Sequence, residues 1–464
     1  MCEATLGEDA SLEVRVLAHK EPSKEETPHI EDDAPIMTHN HVNYQARLDF
    51  AHKVLEDRFG FQANVVPIQY DPECPFKYNN FIYRVSLASA SSVAKVTSAA
   101  SSQPGTVPIP HGANEFILRL TNSDAEGMHP ATRVENEVAL LSLASGALCN
   151  FQPPVVPRIY GWESAVSGQG WILQELLPGE PVDEAFESMS LDEKRRILDQ
   201  MAKLLKGLQD FSLPDTVKGF GGAMYDGSGA IVNAAMPSVG AGPWSSFEES
   251  FKGRLEVALT EADKNQYIKG WRANGLRERL EAFVAKGVPE QLVALGSRAD
   301  RVIVHADFTM NNLLFDPTSG RITALLDFDF ATISHPAYEF LCSFDGAGCQ
   351  FPGWTVNEES EMAALRDAKL HGFPSPLPET KDGGSVNWGV AKAWEDALEG
   401  AGVKRPRNIE GIEGVANVDT VLRSILPWRV TNEDILRRQT EKAIVQCREE
   451  NEELLDKLLR HLGW

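Results

Sequence analysis

Two hydrophobic periodicities divide this chain. In the first part, apolar and polar residues alternate. Phe81-Ile-Tyr-Arg-Val85 reads as a half-buried strand and Glu115-Phe-Ile-Leu-Arg119-Leu120 as another. Residues 88–113 between them are rich in Ala, Ser, Gly and Pro, and read as a flexible insertion. A helix is predicted from Pro130 to Ala144, because Val134, Val138 and Leu141 recur at helical spacing and Pro130 suits a first turn. Trp171-Ile-Leu-Gln-Glu175-Leu-Leu-Pro-Gly179 is an apolar strand that stops at Pro-Gly.

Beyond Gly179 the pattern turns helical. Ser190-x-x-Glu193 is a capping box leading into Ile197, Leu198, Met201, Leu204, Leu205, Leu208 and Phe211, a stripe wide enough for a core helix. Gly221 to Gly229 reads as an irregular or hairpin connection, and Phe247 to Leu259 and Leu276 to Val284 as further helices. Residues 345–420 carry few long periodic segments. The chain closes on a helical pattern from Asn432 to Leu462, whose charged middle, Arg448 to Glu453, predicts a break or a solvated turn.

The most informative chemistry interrupts two apolar runs. Arg301-Val-Ile-Val304 leads into His305-Ala-Asp307-Phe-Thr-Met-Asn-Asn312. Then Leu313-Leu-Phe315, the turn Asp316-Pro-Thr-Ser-Gly320 and Ile322 to Leu326 predict a hairpin, which runs into Asp327-Phe-Asp329. Such a hairpin sets Asp307 and Asn312 at one end of one arm and Asp327 at the matching end of the other, so the three can converge on one ion. Phosphoryl transfer asks for this set: a carboxylate to take a hydroxyl proton, and oxygen ligands for the Mg²⁺ that bridges ATP phosphates. Protein kinases use H-R-D-x-x-x-x-N followed by D-F-G. Here Ala306 replaces the Arg, and D-F-D replaces D-F-G.

With His335-Pro-Ala-Tyr-Glu339-Phe-Leu downstream, these motifs resemble the aminoglycoside phosphotransferase and choline kinase superfamily. Its usual text is close to H-G-D-x-x-x-x-N, I-D-W/F-E/D and G-D-P-A-Y-D-L. The resemblance implies a two-lobed, protein-kinase-like α+β fold, with a small β-rich N-lobe and a larger helical C-lobe. It implies Asp307 as catalytic base and Asn312 and Asp327 as Mg²⁺ ligands. It puts Arg119 in place of the strand lysine that touches the α- and β-phosphates, a swap that keeps charge and bidentate geometry. Glu137, beside the apolar stripe of its helix, would be the partner of Arg119, with Glu135 as the solvent-facing alternative. Trp171 to Gly179 resembles the hinge, where adenine would bond the backbone near Glu175 and Leu177. Two positions depart from the pattern. Ala306 stands for Gly, a change expected to matter little, and His335 stands where Asp is common. The phosphate-covering loop lacks its usual glycines and reads Cys74-Pro-Phe-Lys-Tyr-Asn79-Asn80, leaving Lys77 or the Asn79 and Asn80 amides as substitutes.

Composition sharpens this picture. The 464 residues suit two lobes plus additions, divided as an acidic leader (1–40), an N-lobe (41–177, insertion at 88–113), a C-lobe (178–345) and a C-terminal elaboration with helices packing on the C-lobe (346–464), residues 345–420 being expected over the substrate side. The leader is expected to be disordered and is not a targeting signal. No apolar run approaches the ~20 residues of a transmembrane helix. Six scattered cysteines without a CxxC argue for a reduced, cytoplasmic protein with no zinc site.

The net charge of −23 disfavours nucleic acid and anionic membranes as partners and is compatible with a cationic substrate. Asp329, Glu339 and Asp345 are the acids that would attract an amine; solvated surface, or for Glu339 a brace of the catalytic loop, is the plainer role. The expected function is transfer of the ATP γ-phosphoryl group to a hydroxyl of a small molecule, with His305 bracing the loop. The alternatives are a nucleotide-binding pseudokinase or scaffold, and a protein kinase. The latter ranks lowest because no activation-loop segment follows Asp327.

Overall fold

The computed structural model describes residues 39–68, 74, 76–87, 103–166, 168–344, 346, 348, 350–379 and 386–464. The expected acidic leader up to residue 38, the insertion from 88 to 102 and Asp345 lie outside the described residues. The chain divides into two compact units. One holds the described residues up to Glu126 together with Ile159–Leu176; the other holds Gly127–Arg158 and Leu177–Trp464. One boundary falls between Leu176 and Leu177, in the segment expected to be the hinge. The helix expected in the N-lobe departs from that division, because its contacts group it with the other unit.

The first unit is a five-stranded antiparallel sheet under one helix, α1 (Tyr44–Phe59). Its strands are β1 (Ala63–Pro67), β2 (Asn80–Leu87), β3 (Glu115–Thr121), β4 (Ile159–Glu163) and β5 (Trp171–Glu175), in the order β1-β2-β3-β5-β4. The alternation read from the sequence works here: Tyr83 and Val85 of β2 and Phe116, Leu118 and Leu120 of β3 pack with Leu55 and Phe59 of α1. Gly60 ends α1 in the left-handed region (φ 64°), its N–H bonded back to Glu56 O, which suits a residue without Cβ. The described end of the expected flexible insertion is fastened down. Val107 N–H bonds Ile159 O (2.9 Å), and the Trp162 indole donates to Pro104 O (2.9 Å).

The second unit is mostly helical. It holds α2 (Arg133–Ala147), α3 (Leu191–Asp210), α4 (Phe247–Lys264), α5 (Leu276–Ala282), α6 (Pro336–Cys342), α7 (Glu361–His371), α8 (Trp388–Ala401), α9 (Ile412–Ile425) and α10 (Glu441–His461). The capping box is formed at α3, where Ser190 accepts from Glu193 N–H and Glu193 reaches back to Ser190 N–H. Ile197, Leu198, Met201, Leu204, Leu205 and Leu208 are all buried along it. Short strands thread between these helices: β6 (Glu180–Pro181), the hairpin β7 (Gly222–Tyr225) and β8 (Ile231–Ala234), β9 (Val302–Val304), β10 (Leu313–Asp316), β11 (Arg321–Leu325) and β12 (Thr332–Ser334). Among the described residues, no helix is long and apolar enough to cross a membrane.

Two expectations need correction. Residues 345–420 contain three helices, α7, α8 and much of α9, where few were read. At the C-terminus the charged stretch Arg448 to Glu453 lies inside unbroken α10. Pairs four residues apart, Arg448 with Glu452 and Glu453 with Lys457, stabilise that stretch as helix. The break comes earlier, where Thr440 caps α10 by accepting from Ala443 N–H (3.3 Å).

Candidate active site

The site is built on two pairs of strands. Buried β9 pairs antiparallel with β12, Ile303 opposite Ile333, and the chain leaves β9 directly into His305. β10 and β11 form the predicted hairpin, with Leu313 opposite Leu325. Its turn is closed by Asp316, which accepts from Thr318 N–H (2.9 Å) and the Ser319 hydroxyl (2.6 Å). Gln200 of α3 pins the hairpin by donating to Gly320 O and accepting from Ile322 N–H, both at 2.9 Å. Leu326 N–H then bonds Asn312 O (2.8 Å), so the residue before Asp327 is tied to Asn312.

Asp307 and Asn312 are in direct contact. The Asn312 amide donates to Asp307 Oδ2 (2.7 Å) and to Asp307 O (2.9 Å). With its nitrogen so committed, the amide turns its oxygen the other way, the atom a hard cation takes. Asn312 is 5% exposed and Asp307 half-buried.

His305 braces the loop. It is fully buried, and its Nε2 donates to Leu326 O (2.9 Å), linking the start of the loop to the approach to Asp327. Burial holds its pKa down at about 4, so the ring is neutral at pH 7. Glu339 of α6, 1% exposed, is a second brace: its carboxylate accepts from His305 N–H (2.8 Å), Ala306 N–H (2.9 Å) and the Ser343 hydroxyl (2.6 Å). Burial pushes its carboxyl above the usual range, opposed by those three hydrogen bonds. His335 takes over the helix-capping work of an aspartate, since its Nδ1 accepts from Ala337 N–H (3.1 Å) at the start of α6. Nε2 therefore carries the proton toward Ser297 Oγ (3.0 Å), and burial keeps this ring neutral too, at about 4.

The exchange of Gly for Ala at 306 is not neutral. Ala306 sits at φ 64° and Asp327 at φ 60°, both in the left-handed region. Asp tolerates that region, whereas Ala there carries a cost of roughly 1 kcal/mol that Gly escapes.

Asp329 was open between solvated surface and an attractor of amines; the structure supports neither. It is 1% exposed and faces Arg133 of α2, Nη2 to Oδ2 at 3.6 Å. One carboxylate oxygen each from Glu137, Asp327 and Asp329 lie within 4.8 Å of one another. Three carboxylates at that spacing repel unless a cation sits among them, and oxygen donors of this kind suit Mg²⁺. Glu137 and Arg133 come from one face of α2, which Asn136 anchors by donating to Ala331 O and accepting from Ala223 N–H, both 2.8 Å. The sequence hinted only at Glu137, which lies beside the apolar stripe of its helix; the burial of Arg133 emerges from the fold.

The remaining expected site residues are distributed over both units. Arg119, 5% exposed, lies on β3, and Glu175 ends β5, both in the sheet unit; Leu177 opens the helical unit, which also holds Glu137. Lys77, a candidate phosphate contact, pairs with Glu126 (3.6 Å), and Asn79 and Asn80 are 9% and 6% exposed.

A five-stranded sheet unit and a helical unit bearing an acid–amide–acid loop define a kinase-like α+β protein. Residues 106–380 match the model described as the phosphotransferase enzyme family, APH, and the chain belongs to that family. No curated protein matches the chain. Among solved structures, ADP-bound aminoglycoside phosphotransferase APH(2'')-Ib is similar at 13% identity and TM-score 0.44, covering 88% of this chain and 98% of that one. The streptomycin–ATP ternary complex of APH(2'')-IIa follows at 14% and 0.43, covering 85% and 97%. A thermostable mutant of APH(4)-Ia in ternary complex with AMP-PNP and hygromycin B stands at 14% and 0.43, covering 89% and 98%.

Proposed function

We propose that this protein transfers the γ-phosphoryl group of ATP, as its Mg²⁺ complex, to a hydroxyl of a small molecule. The observation that carries the reading is the 2.7 Å bond from the Asn312 amide to the Asp307 carboxylate, beside a cluster of three more acids. In this reading Asp307 orients the acceptor hydroxyl and takes its proton. The Asn312 oxygen and Asp327 hold Mg²⁺, with Glu137 and Asp329 close enough to contribute. The metal would neutralise charge on the transferring phosphoryl group. Arg119 stabilises the α- and β-phosphates, and the backbone near Glu175 and Leu177 receives adenine.

The acceptor is a hydroxylated compound compatible with a strongly acidic protein, which keeps amines among the candidates. Asp329 and Glu339 no longer support that preference, being buried and bonded within the protein. The test is a screen of hydroxylated small molecules, amines included, for ATP consumption by the full chain, beside a thermal-shift titration with ATP in the presence and absence of Mg²⁺. Metal-dependent stabilisation and a phosphorylated product are expected. No shift under either condition would favour the scaffold reading.

A further inference from the structure

Phe308, the residue after Asp307, is held from two directions by the end of α6. Its N–H donates to Ser343 Oγ (2.9 Å), and its carbonyl accepts from Phe344 N–H (3.0 Å). The same Ser343 hydroxyl donates to Glu339 Oε1 (2.6 Å), the oxygen that accepts from Ala306 N–H (2.9 Å). One hydroxyl thus completes a chain of hydrogen bonds from the residue before Asp307 to the residue after it.

The surroundings fix that hydroxyl. Ser343 is 0% exposed, so its hydroxyl is shielded from bulk water. Phe344 sits at φ 75°, a backbone conformation bulky side chains adopt only when their surroundings impose it. It is wedged against Phe308, Phe340 and Trp394, with ring centroids at 5.8, 5.1 and 5.1 Å.

We infer that Ser343 is a positioning residue for Asp307: Glu339 holds the backbone ahead of the base, and Ser343 holds the backbone behind it. The inference rests on the reading of Asp307 as base. Removing the hydroxyl leaves the buried Phe308 N–H without its acceptor and takes one of three donors from Glu339, so the loop loosens while the metal-side acids stay in place.

The experiment compares Ser343→Ala, Ser343→Thr and, as control, Ser250→Ala, a buried serine that bonds Phe247 O (2.6 Å) in α4. Amide hydrogen exchange of segment 305–312 is read on the full unliganded chain, and ADP production from Mg-ATP gives turnover. Ser343→Ala is expected to raise exchange in that segment about tenfold without changing α3. Turnover should fall by about 10- to 100-fold, with KM for Mg-ATP within about twofold. Ser343→Thr should recover most of both effects, and Ser250→Ala should show neither. Exchange at wild-type level in 305–312, or raised equally in α3, overturns the inference. So does a change confined to KM. Asp307→Asn, run in parallel, separates the two claims: wild-type turnover in that variant sinks the base assignment itself, whatever Ser343 does.

Discussion

The segment from Arg301 to Phe344 and the helices after it place their buried charged groups differently. In the segment, side chains grip backbone: Glu339 takes the amides of His305 and Ala306, Ser343 that of Phe308, and His335 that of Ala337. In the later helices, buried charges are matched chiefly side chain to side chain, although Arg423 also donates to Leu341 O (2.9 Å) of α6. Arg405 bonds Glu395 of α8 (2.5 Å) and reaches Glu399 (3.2 Å), while Asp419 of α9 holds Arg423 (2.6 Å) and faces Arg254 of α4 (3.9 Å). Gripping backbone fixes where one short loop runs, and so where Asp307 points. Pairing side chains matches helix faces, a task that apolar residues of similar volume can also perform.

The contrast can be broken by variants. Asp307→Ala should have the largest effect, lowering turnover by about 10²- to 10⁴-fold while ATP still binds, as read by thermal shift. Arg405→Met should remove about 3–5 kcal/mol of stability by leaving buried Glu395 unpaired, yet leave turnover per folded molecule unchanged. A matching loss of turnover would mean that the C-terminal helices set the site after all.

Acid should act on the loop side. His305 and His335 have folded pKa values near 4, below the ordinary 6.5, so the unfolded chain binds more protons between those limits. Stability is therefore full above about pH 6.5 and falls as the pH drops toward 4, by about 2 kcal/mol for each ring at pH 5. Glu339, with its raised pKa, works in the opposite sense and offsets part of the fall. Melting temperature against pH reads the net slope, and His335→Asn, which keeps a capping side chain, should flatten it.

Glu339→Gln should cost about 1–3 kcal/mol by setting an NH₂ against backbone donors. Unlike Arg405→Met it should also lower kcat, as a steady-state assay would read. The smallest effect is expected from Ala306→Gly, a stabilisation of less than about 1 kcal/mol, because relief at φ 64° exceeds the added entropy of the unfolded glycine. A lower melting temperature would rule out strain at that position.

What the sequence disclosed follows the same division. The hairpin was legible because Asp316 to Gly320 has turn chemistry and the flanking runs are apolar, and it carried Asn312 and the approach to Asp327 to adjacent places. Of the sheet strands, β2 and β3 were legible from their sequence pattern and β5 as an apolar run ending at Pro-Gly, whereas β1 and β4 were not read as strands. Partnerships across long stretches of chain were not. Nothing local to Asp329 announces Arg133, and nothing local to Ser343 announces Phe308. The middle of α10 was misread for a related reason. Six charged or polar residues in a row look like a solvated turn until the i,i+4 partners are matched. Ala306 was judged by side-chain size, whereas its backbone angle is what matters.

His335 has one more consequence. An imidazole that caps a helix through Nδ1 and points its Nε2 proton at Ser297 is locked in a single tautomer, so its two nitrogens are magnetically unlike. Their ¹⁵N shifts form a built-in reporter on α6. Loss of the inequivalence would mark the undocking of the helix that carries Glu339, and it could be followed in the resting protein before any acceptor is known.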